Sequence, residues 1–232
     1  MKIEGKNAVY ELLKSGATVN KLMVLKEETG KIVALARQQG VKIQFVDKKV
    51  LDKASVTGKH QGYIVETVDF EYSELEDILA KDGDKLIVVL DEINDPHNLG
   101  SIIRVCECAG VDGIVIGKNR QVQVNETVVR CSSGAISHVK IARVTNINTA
   151  IETLKQSNVW VYCADMDGQS MYKTNLTGNV ALVIGGEGNG VSRLTKSLCD
   201  GVVSIDLRGK VNSLNASVAC GIVVYEALRQ RG

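Results

Sequence analysis

A single proline, at position 96, punctuates the 232-residue chain, so no part of it has the composition of a proline-rich linker or a disordered tail. No run approaches the roughly 18 apolar residues of a membrane span, and the opening Met1-Lys2-Ile3-Glu4-Gly5-Lys6 is too polar for a secretory leader. These absences point to a cytoplasmic protein with no membrane partner. The six cysteines, at 106, 108, 131, 163, 199 and 220, include no C-x-x-C pair. No metal site is therefore expected, and the thiols read as small, reduced core residues. A net charge of +1 does not advertise a polyanion-binding surface. It does not exclude one either, because a local basic face acts over about 10 Å whatever the total charge. Two nucleotide signatures are also missing: no G-x-G-x-x-G opens a helix, and there is no G-x-x-x-x-G-K-[ST] phosphate loop.

What is present is enough apolar material for a real core, 44% hydrophobic against 24% charged. The length fits one large α/β domain or a small domain joined to a medium one. Over the first seventy residues helical and strand patterns alternate: 7–13 as an amphipathic helix, 21–25 as a strand, 29–39 as a helix, 41–46 as a strand, 49–53 as a short helix and 62–68 as a strand. This predicts a small α/β domain over 1–72. An acidic stretch follows, locally helical around 75–79 and ending in Lys81-Asp82-Gly83-Asp84, and residues 73–84 read as a linker. From 85 to 232 the pattern changes. Continuous apolar runs at 86–90, 113–116, 159–163, 180–184 and 202–205 are the mark of parallel strands covered on both faces. Helical stretches at 102–109, 148–156 and 213–229 separate them. That alternation predicts a mostly parallel sheet with helices on both faces, which binds ligands beyond the carboxyl ends of its strands.

The residues that follow the apolar runs are the informative ones. After 86–90 comes Asp91-Glu92-Ile93-Asn94-Asp95-Pro96-His97-Asn98-Leu99-Gly100-Ser101-Ile102-Ile103-Arg104. If a helix begins near Asn98 or Leu99, Gly100 and Arg104 share a side and an arginine there is placed to meet a phosphate; the plainer reading is an ordinary turn with Asn98 as N-cap and Arg104 solvated. His97 alone reads as a loop residue. After 180–184 comes Gly185-Gly186-Glu187-Gly188-Asn189-Gly190, four glycines in six positions that open backbone groups to a ligand around one carboxylate. The third segment, Asn212-Ser213-Leu214-Asn215, opens a long apolar helix. Capping by Asn212 or Ser213 explains one such polar residue but not three.

These segments resemble the SpoU/TrmH family of RNA ribose 2′-O-methyltransferases in the SPOUT superfamily, most like its 23S rRNA guanosine branch. N-x-G-x-x-x-R stands at Asn98–Arg104, G-x-E-G-x-G at Gly185–Gly190 and N-S-L-N at Asn212–Asn215. Ser132-Ser133-Gly134-Ala135 is similar to the family's S-x-G-A, and one departure is Gly186, where many members carry serine. Gly5-Lys6-Asn7-Ala8-Val9 and His60-Gln61-Gly62 are similar to the family's accessory RNA-binding domain, whose fold is that of a ribosomal protein. The resemblance implies a deep trefoil knot in the second domain, S-adenosylmethionine as cofactor, structured RNA as substrate and a homodimer. It assigns cofactor contacts to Gly185, Gly186, Glu187, Gly188, Gly190, Ile205, Leu207, Ser213 and Leu214, and catalytic roles to Asn98, Arg104, Glu187, Ser213 and Asn215. Because a guanidinium stays protonated in proteins, Arg104 is read as orienting phosphate and stabilising the developing alkoxide rather than as a base. The accessory domain favours ribosomal over transfer RNA, since tRNA-specific members commonly have short extensions instead. Alternatives are a tRNA 2′-O-methyltransferase and a non-catalytic ribosome-assembly factor. A dinucleotide-dependent oxidoreductase lacks its fingerprint.

Overall fold

The structure, a computed structural model, describes residues 1–67, 70–188, 190–211 and 213–232. Val68, Asn189 and Asn212, which figure in the expectations above, lie outside the described residues. The chain forms two compact units, one of Met1–Glu71 with Val124–His138 and one of Tyr72–Gln123 with Val139–Gly232.

In the first unit, β1 (Lys2–Glu4), α1 (Lys6–Lys14), β2 (Val19–Leu25), α2 (Lys31–Gln38), β3 (Ile43–Val46), α3 (Lys48–Ala54) and β4 (Tyr63–Thr67) follow in order. They form a four-stranded sheet ordered β1-β4-β2-β3. The β2–β3 pair is parallel and the other pairs are antiparallel. Alternation in the sequence predicts each of these strands except β1, whose three residues are too few to show a period. Helix α1 buries Ala8, Val9, Leu12 and Leu13, the spacing of one helical face.

The remaining elements are α4 (Leu75–Leu79), β5 (Leu86–Asp91), α5 (Pro96–Cys108), β6 (Gly113–Gly117), α6 (Glu126–Cys131), β7 (Ile141–Val144), α7 (Ile147–Gln156), β8 (Trp160–Ser170), β9 (Val180–Gly185), α8 (Arg193–Leu198), β10 (Gly201–Ser204) and α9 (Ala216–Arg231). The six strands of the second unit are ordered β10-β8-β9-β5-β6-β7, every adjacent pair parallel. All six residues of β5 are buried, as an apolar run covered on both faces requires. Ile87 and Val89 pack with Ile151 and Leu154 of α7 on one face. By alternation, Val88 and Leu90 turn to the other face, where α5 packs against α9.

Several details depart from the sequence reading. The 73–84 stretch contains α4, whose Leu75 and Ile78 are buried in the core of the second unit. Residues 124–138 belong to the first unit: Lys2 N donates to Glu126 Oε1 at 2.8 Å, and Gly134 lies so close to α1 that a Cβ there would sit 2.5 Å from Glu11 Cβ. The sequence reading did not include strand β7, because Ile141-Ala-Arg-Val144 is only four residues long, is interrupted by Arg143 and lies at the edge of the sheet. Of the six free cysteines, 106, 163 and 220 are buried as expected, 131 and 199 are half-buried, and 108 is exposed. No helix among the described residues is long and apolar enough to cross a membrane.

The end of α9 is fastened through a buried carboxylate. Glu226 accepts two bonds from Arg229, at 2.9 and 2.8 Å, and one from Gln230 at 2.8 Å. Gln230 in turn accepts from Leu176 N and donates to Thr174 O. Arg229 first, then Gln230, holds the Glu226 carboxyl at about 2, against an ordinary 4.5.

Two predictions follow from this packing. A Cβ on Gly113 would lie 2.4 Å from Ile78 Cδ1, so Gly113→Ala should overpack α4 against β6 and cost about 1–3 kcal/mol. An unchanged Tm would show that α4 is not seated there. The stabilisation by Glu226 should be full above about pH 4.5 and lost as pH falls through about 2. Glu226→Gln should therefore lower Tm at pH 7, with the gap to the parent closing as the pH is brought down across that window. A gap independent of pH would exclude the ionised carboxylate as its source.

Candidate active site

Beyond the carboxyl ends of the parallel strands the connections diverge at the β5–β9 pair. From β5 the chain turns towards β6, and from β9 it runs on to β10 at the opposite edge. Such a switch point opens a crevice, and two of the singled-out segments, Asp91–Asn98 and Gly185–Gly190, begin there.

The helix after β5 starts earlier than the sequence reading placed it. Asp95, not Asn98, is the N-cap and accepts from His97 N at 2.9 Å, with Pro96 in the first turn. This puts Asn98 inside the first turn, where it is buried. His97 is exposed and pairs with Asp95, but in the first turn of the helix rather than in a loop. At the other end of the sequence, Asn215 caps α9, its Oδ1 accepting from Ser217 N and Val218 N. The cap is thus Asn215 rather than Ser213, and the helix begins at Ala216.

These two asparagines meet the glycine-rich loop. Asn98 Nδ2 donates to Glu187 Oε1 at 2.8 Å, and Asn215 Nδ2 donates to the same oxygen at 2.9 Å and to Asn98 Oδ1 at 3.0 Å. The three side chains thus close a ring that joins all three segments. Glu187 Oε2 takes no protein donor among the described residues, which leaves one carboxylate oxygen for a ligand. The loop is anchored at both ends by Asp91: Gly186 N donates to its carbonyl and Ser192 N to its buried carboxylate, each at 2.9 Å.

The ring borders a cavity of about 570 Å³. Gly185, Gly186, Glu187, Gly188, Gly190, Ile205, Leu207, Ser213 and Leu214, the expected cofactor contacts, all line it, as does Asn215. Gly188, at φ 93°, has open space where a Cβ would project, so the wall there is bare backbone. Gly186 is tight instead: a Cβ would fall 2.2 Å from the Glu92 carbonyl oxygen. Apolar walls from Val203, Ile205, Leu207, Leu214, Ala216 and Ala219, with polar backbone and the carboxylates of Glu187 and Asp165, suit a ligand that is part aromatic or aliphatic and part cationic.

Two features escaped the sequence reading. The lining includes Ala164, Asp165 and Met166. They lie in a bulge of β8, where the register with β10 jumps from Val202↔Cys163 to Val203↔Gln169. Lys196 holds the bulge, with Nζ 3.0 Å from Asp165 Oδ2 and also bonded to Asp167; the bond to Asp167 chiefly raises its affinity for the proton. The polar run Asp165-Met-Asp-Gly168 after an apolar strand was the available signal. The second feature is Arg104. It is exposed on α5 and does not line the cavity, whereas Gly100 is buried. Six residues of helix turn it about 240° from Asn98, so the two residues stand on different sides of α5. Ser132-Ser133-Gly134-Ala135 lies in the first unit, with Ser132 buried and bonded to Val129 O. Among the described residues no three His, Cys, Asp or Glu side chains gather as metal ligands would.

Comparison with known proteins agrees with this geometry. The sequence profile of the SpoU rRNA methylase family matches residues 85–225, and that of the RNA 2′-O ribose methyltransferase substrate-binding domain matches 2–73. YacO of Bacillus subtilis, assigned to the TrmH family of tRNA/rRNA methyltransferases, is 43% identical over 237 residues, covering 98% of this chain and 94% of that protein. The SpoU methyltransferase AviRb from Streptomyces viridochromogenes, solved in complex with AdoMet, superposes with a TM-score of 0.86 at 23% identity, over 99% of this chain and 89% of that one. An AdoMet-bound rRNA methyltransferase from Sinorhizobium meliloti gives 0.80 at 26% identity, over 98% and 86%. With both regions matched and a relative aligned along nearly its whole length, the chain belongs to the SpoU rRNA methylase family.

Proposed function

We propose that this RNA methyltransferase transfers a methyl group from S-adenosylmethionine to the 2′-hydroxyl of a guanosine ribose in 23S ribosomal RNA. The observation that carries this reading is the Asn98–Glu187–Asn215 ring at the rim of the glycine-walled cavity. Gly185–Gly190, Ile205, Leu207, Ser213 and Leu214 would hold the cofactor, which supplies a methyl group made electrophilic by its sulfonium. The bare backbone at Gly188 and the apolar walls fit such a ligand, and Glu187 and Asp165 fit its positive charge.

The chain's own part is alignment and charge placement. Asn98 and Asn215 fix one oxygen of Glu187 and leave the other for the ligand, so the carboxylate is oriented before anything binds. Orientation of this kind supplies up to about 7–11 kcal/mol of a barrier. No metal is needed, because the electrophile is already activated. Residues 1–72, together with 124–138, serve as the RNA-binding domain, and the rest of 85–232, with α4 of the 73–84 stretch in its core, as the catalytic one. The match of 2–73 to a substrate-binding domain supports an RNA-binding role for the amino-terminal unit. A trefoil knot in the catalytic domain and a cytoplasmic location complete the reading, as family likeness implies.

Arg104 enters through a second copy of the chain. It is exposed and is not among the residues that line its own cavity, and α9 exposes Val218 and Tyr225, each 49% accessible, beside α5. In a homodimer built on this face, each Arg104 would act in the partner's site, orienting the phosphate next to the reactive ribose. Ser213 would serve there as a further polar contact.

Incubation with labelled S-adenosylmethionine and separate ribosomal and transfer RNA pools should place label on a guanosine 2′-oxygen of 23S RNA. Label in transfer RNA alone would overturn the substrate, and no label in any RNA would overturn the activity. Arg104→Ala and Glu187→Gln should each reduce turnover about 100-fold or more. Mixed and allowed to exchange subunits, the two variants should recover about a quarter of parental activity, since half the dimers then carry one intact site. No recovery after verified exchange would mean that Arg104 acts within its own chain.

A further inference from the structure

A second cavity, of about 350 Å³, lies at the carboxyl ends of β5, β6 and β7, beside the first turn of α7. The glycine-rich loop and its continuation contribute to both cavities: Gly185, Gly186, Glu187, Gly188 and Gly190 line the first, while Ser192, Leu194 and Thr195 line the second. Asp91 fastens the loop between them.

The walls carry hydrogen-bonding groups that the protein orients and then leaves unused. Asn146 Oδ1 accepts from Asn148 N at 2.8 Å, and Asn148 Oδ1 accepts from Thr195 Oγ1 at 3.0 Å. Both carboxamides are thereby held by their oxygens. Their Nδ2 groups donate to no protein atom among the described residues. Gln121 Nε2, in the same wall, is buried with no partner, a state that ordinarily marks a missing ligand or water. At the mouth, Glu92 and Arg120 form an ion pair at 3.1 Å. Both are non-glycine residues in the left-handed region, with φ 61° and 55°. Backbone of this kind concentrates at functional sites. Leu194, 60% exposed, adds an apolar surface on the rim.

A ligand for these walls must offer acceptors to the carboxamide and guanidinium donors and N–H donors to the Glu92 carboxylate. Guanine does both, with O6 and N7 as acceptors and N1–H and the N2 amine as adjacent donors. Adenine and cytosine place no pair of adjacent N–H donors against a carboxylate, and uracil has a single one. Inorganic phosphate is disfavoured by the carboxylates of Asp91 and Glu92. We propose that this cavity seats a guanine base of the acceptor RNA, gripped between Glu92 and the amide donors of Asn146 and Asn148. The proposal rests on the methyltransferase reading above and sharpens it, making the base a determinant of substrate choice across the loop from the cofactor cavity. A base enters such a seat by leaving its stack, as flipped bases do.

The test titrates the full chain with guanosine, adenosine, cytidine and uridine 5′-monophosphates and with inorganic phosphate, and separately with S-adenosylmethionine. Guanosine monophosphate should bind about tenfold more tightly than the other four probes, consistent with one well-made edge contact. Glu92→Gln and Asn148→Ala should each weaken it about fivefold or more and leave S-adenosylmethionine affinity within about twofold. Equal binding of all nucleotides, indifference to both substitutions, or displacement of guanosine monophosphate by S-adenosylmethionine would overturn the proposal. Guanine selectivity with no affinity for S-adenosylmethionine would instead sink the methyltransferase reading and leave the base seat standing.

Discussion

The hydrogen-bonded ring of Asn98, Glu187 and Asn215 joins segments 89 and 28 residues apart along the chain. A carboxylate oxygen receiving two amide donors makes stronger bonds than neutral pairs do, and each asparagine has a second duty that fixes it. Asn98 is locked in the first turn of a buried helix, and the oxygen of Asn215 caps another. Moving any one of the three segments would leave a buried amide or a carboxylate short of partners, a loss of about 1–3 kcal/mol or more. The geometry of the cavity depends on this mutual restraint.

Much of the second unit serves to hold the ring in register. Asp91 pins both ends of the glycine-rich loop to the last residue of β5, so the loop is tied to a central strand of the sheet. The Glu226 cluster secures the far end of α9 to the 171–178 stretch, which sets the axis of the helix that Asn215 begins. Lys196, in α8, keeps the β8 bulge in place beside Gly190. The site is thus assembled on rigid elements, with its irregular backbone confined to the loop and the bulge.

How much of this was legible in the sequence depended on the physical signal each part carried. Continuous apolar runs marked β5, β6 and β9 because both faces of a parallel strand are covered, and that signal does not need an alignment. Edge strand β7, with Arg143 exposed, and helices α6 and α8, six residues each, are too short or too polar to show a period. Asn98, Glu187 and Asn215 stood out because polar groups were gathered where turns alone did not require them. The burial of Asn98 was not legible, since it depends on where the helix starts, and Asp95 starts it three residues earlier than Asn98 would have. The bulge after Cys163 was hidden for a related reason: register is a property of the pair β8–β10, not of either strand.

The stretch Val124–His138 leaves the parallel sheet after β6, packs with the first unit and returns to form β7. The polypeptide therefore passes from one unit to the other three times. No single cleavage point divides the molecule into two self-sufficient pieces. A fragment starting at residue 72 would carry Val128, Val129 and Ile136, all buried in the intact chain, stripped of the surface that covers them. Evolutionary shuffling of the amino-terminal unit onto another catalytic body would have to bring this excursion along, so the two units are bound to be inherited together.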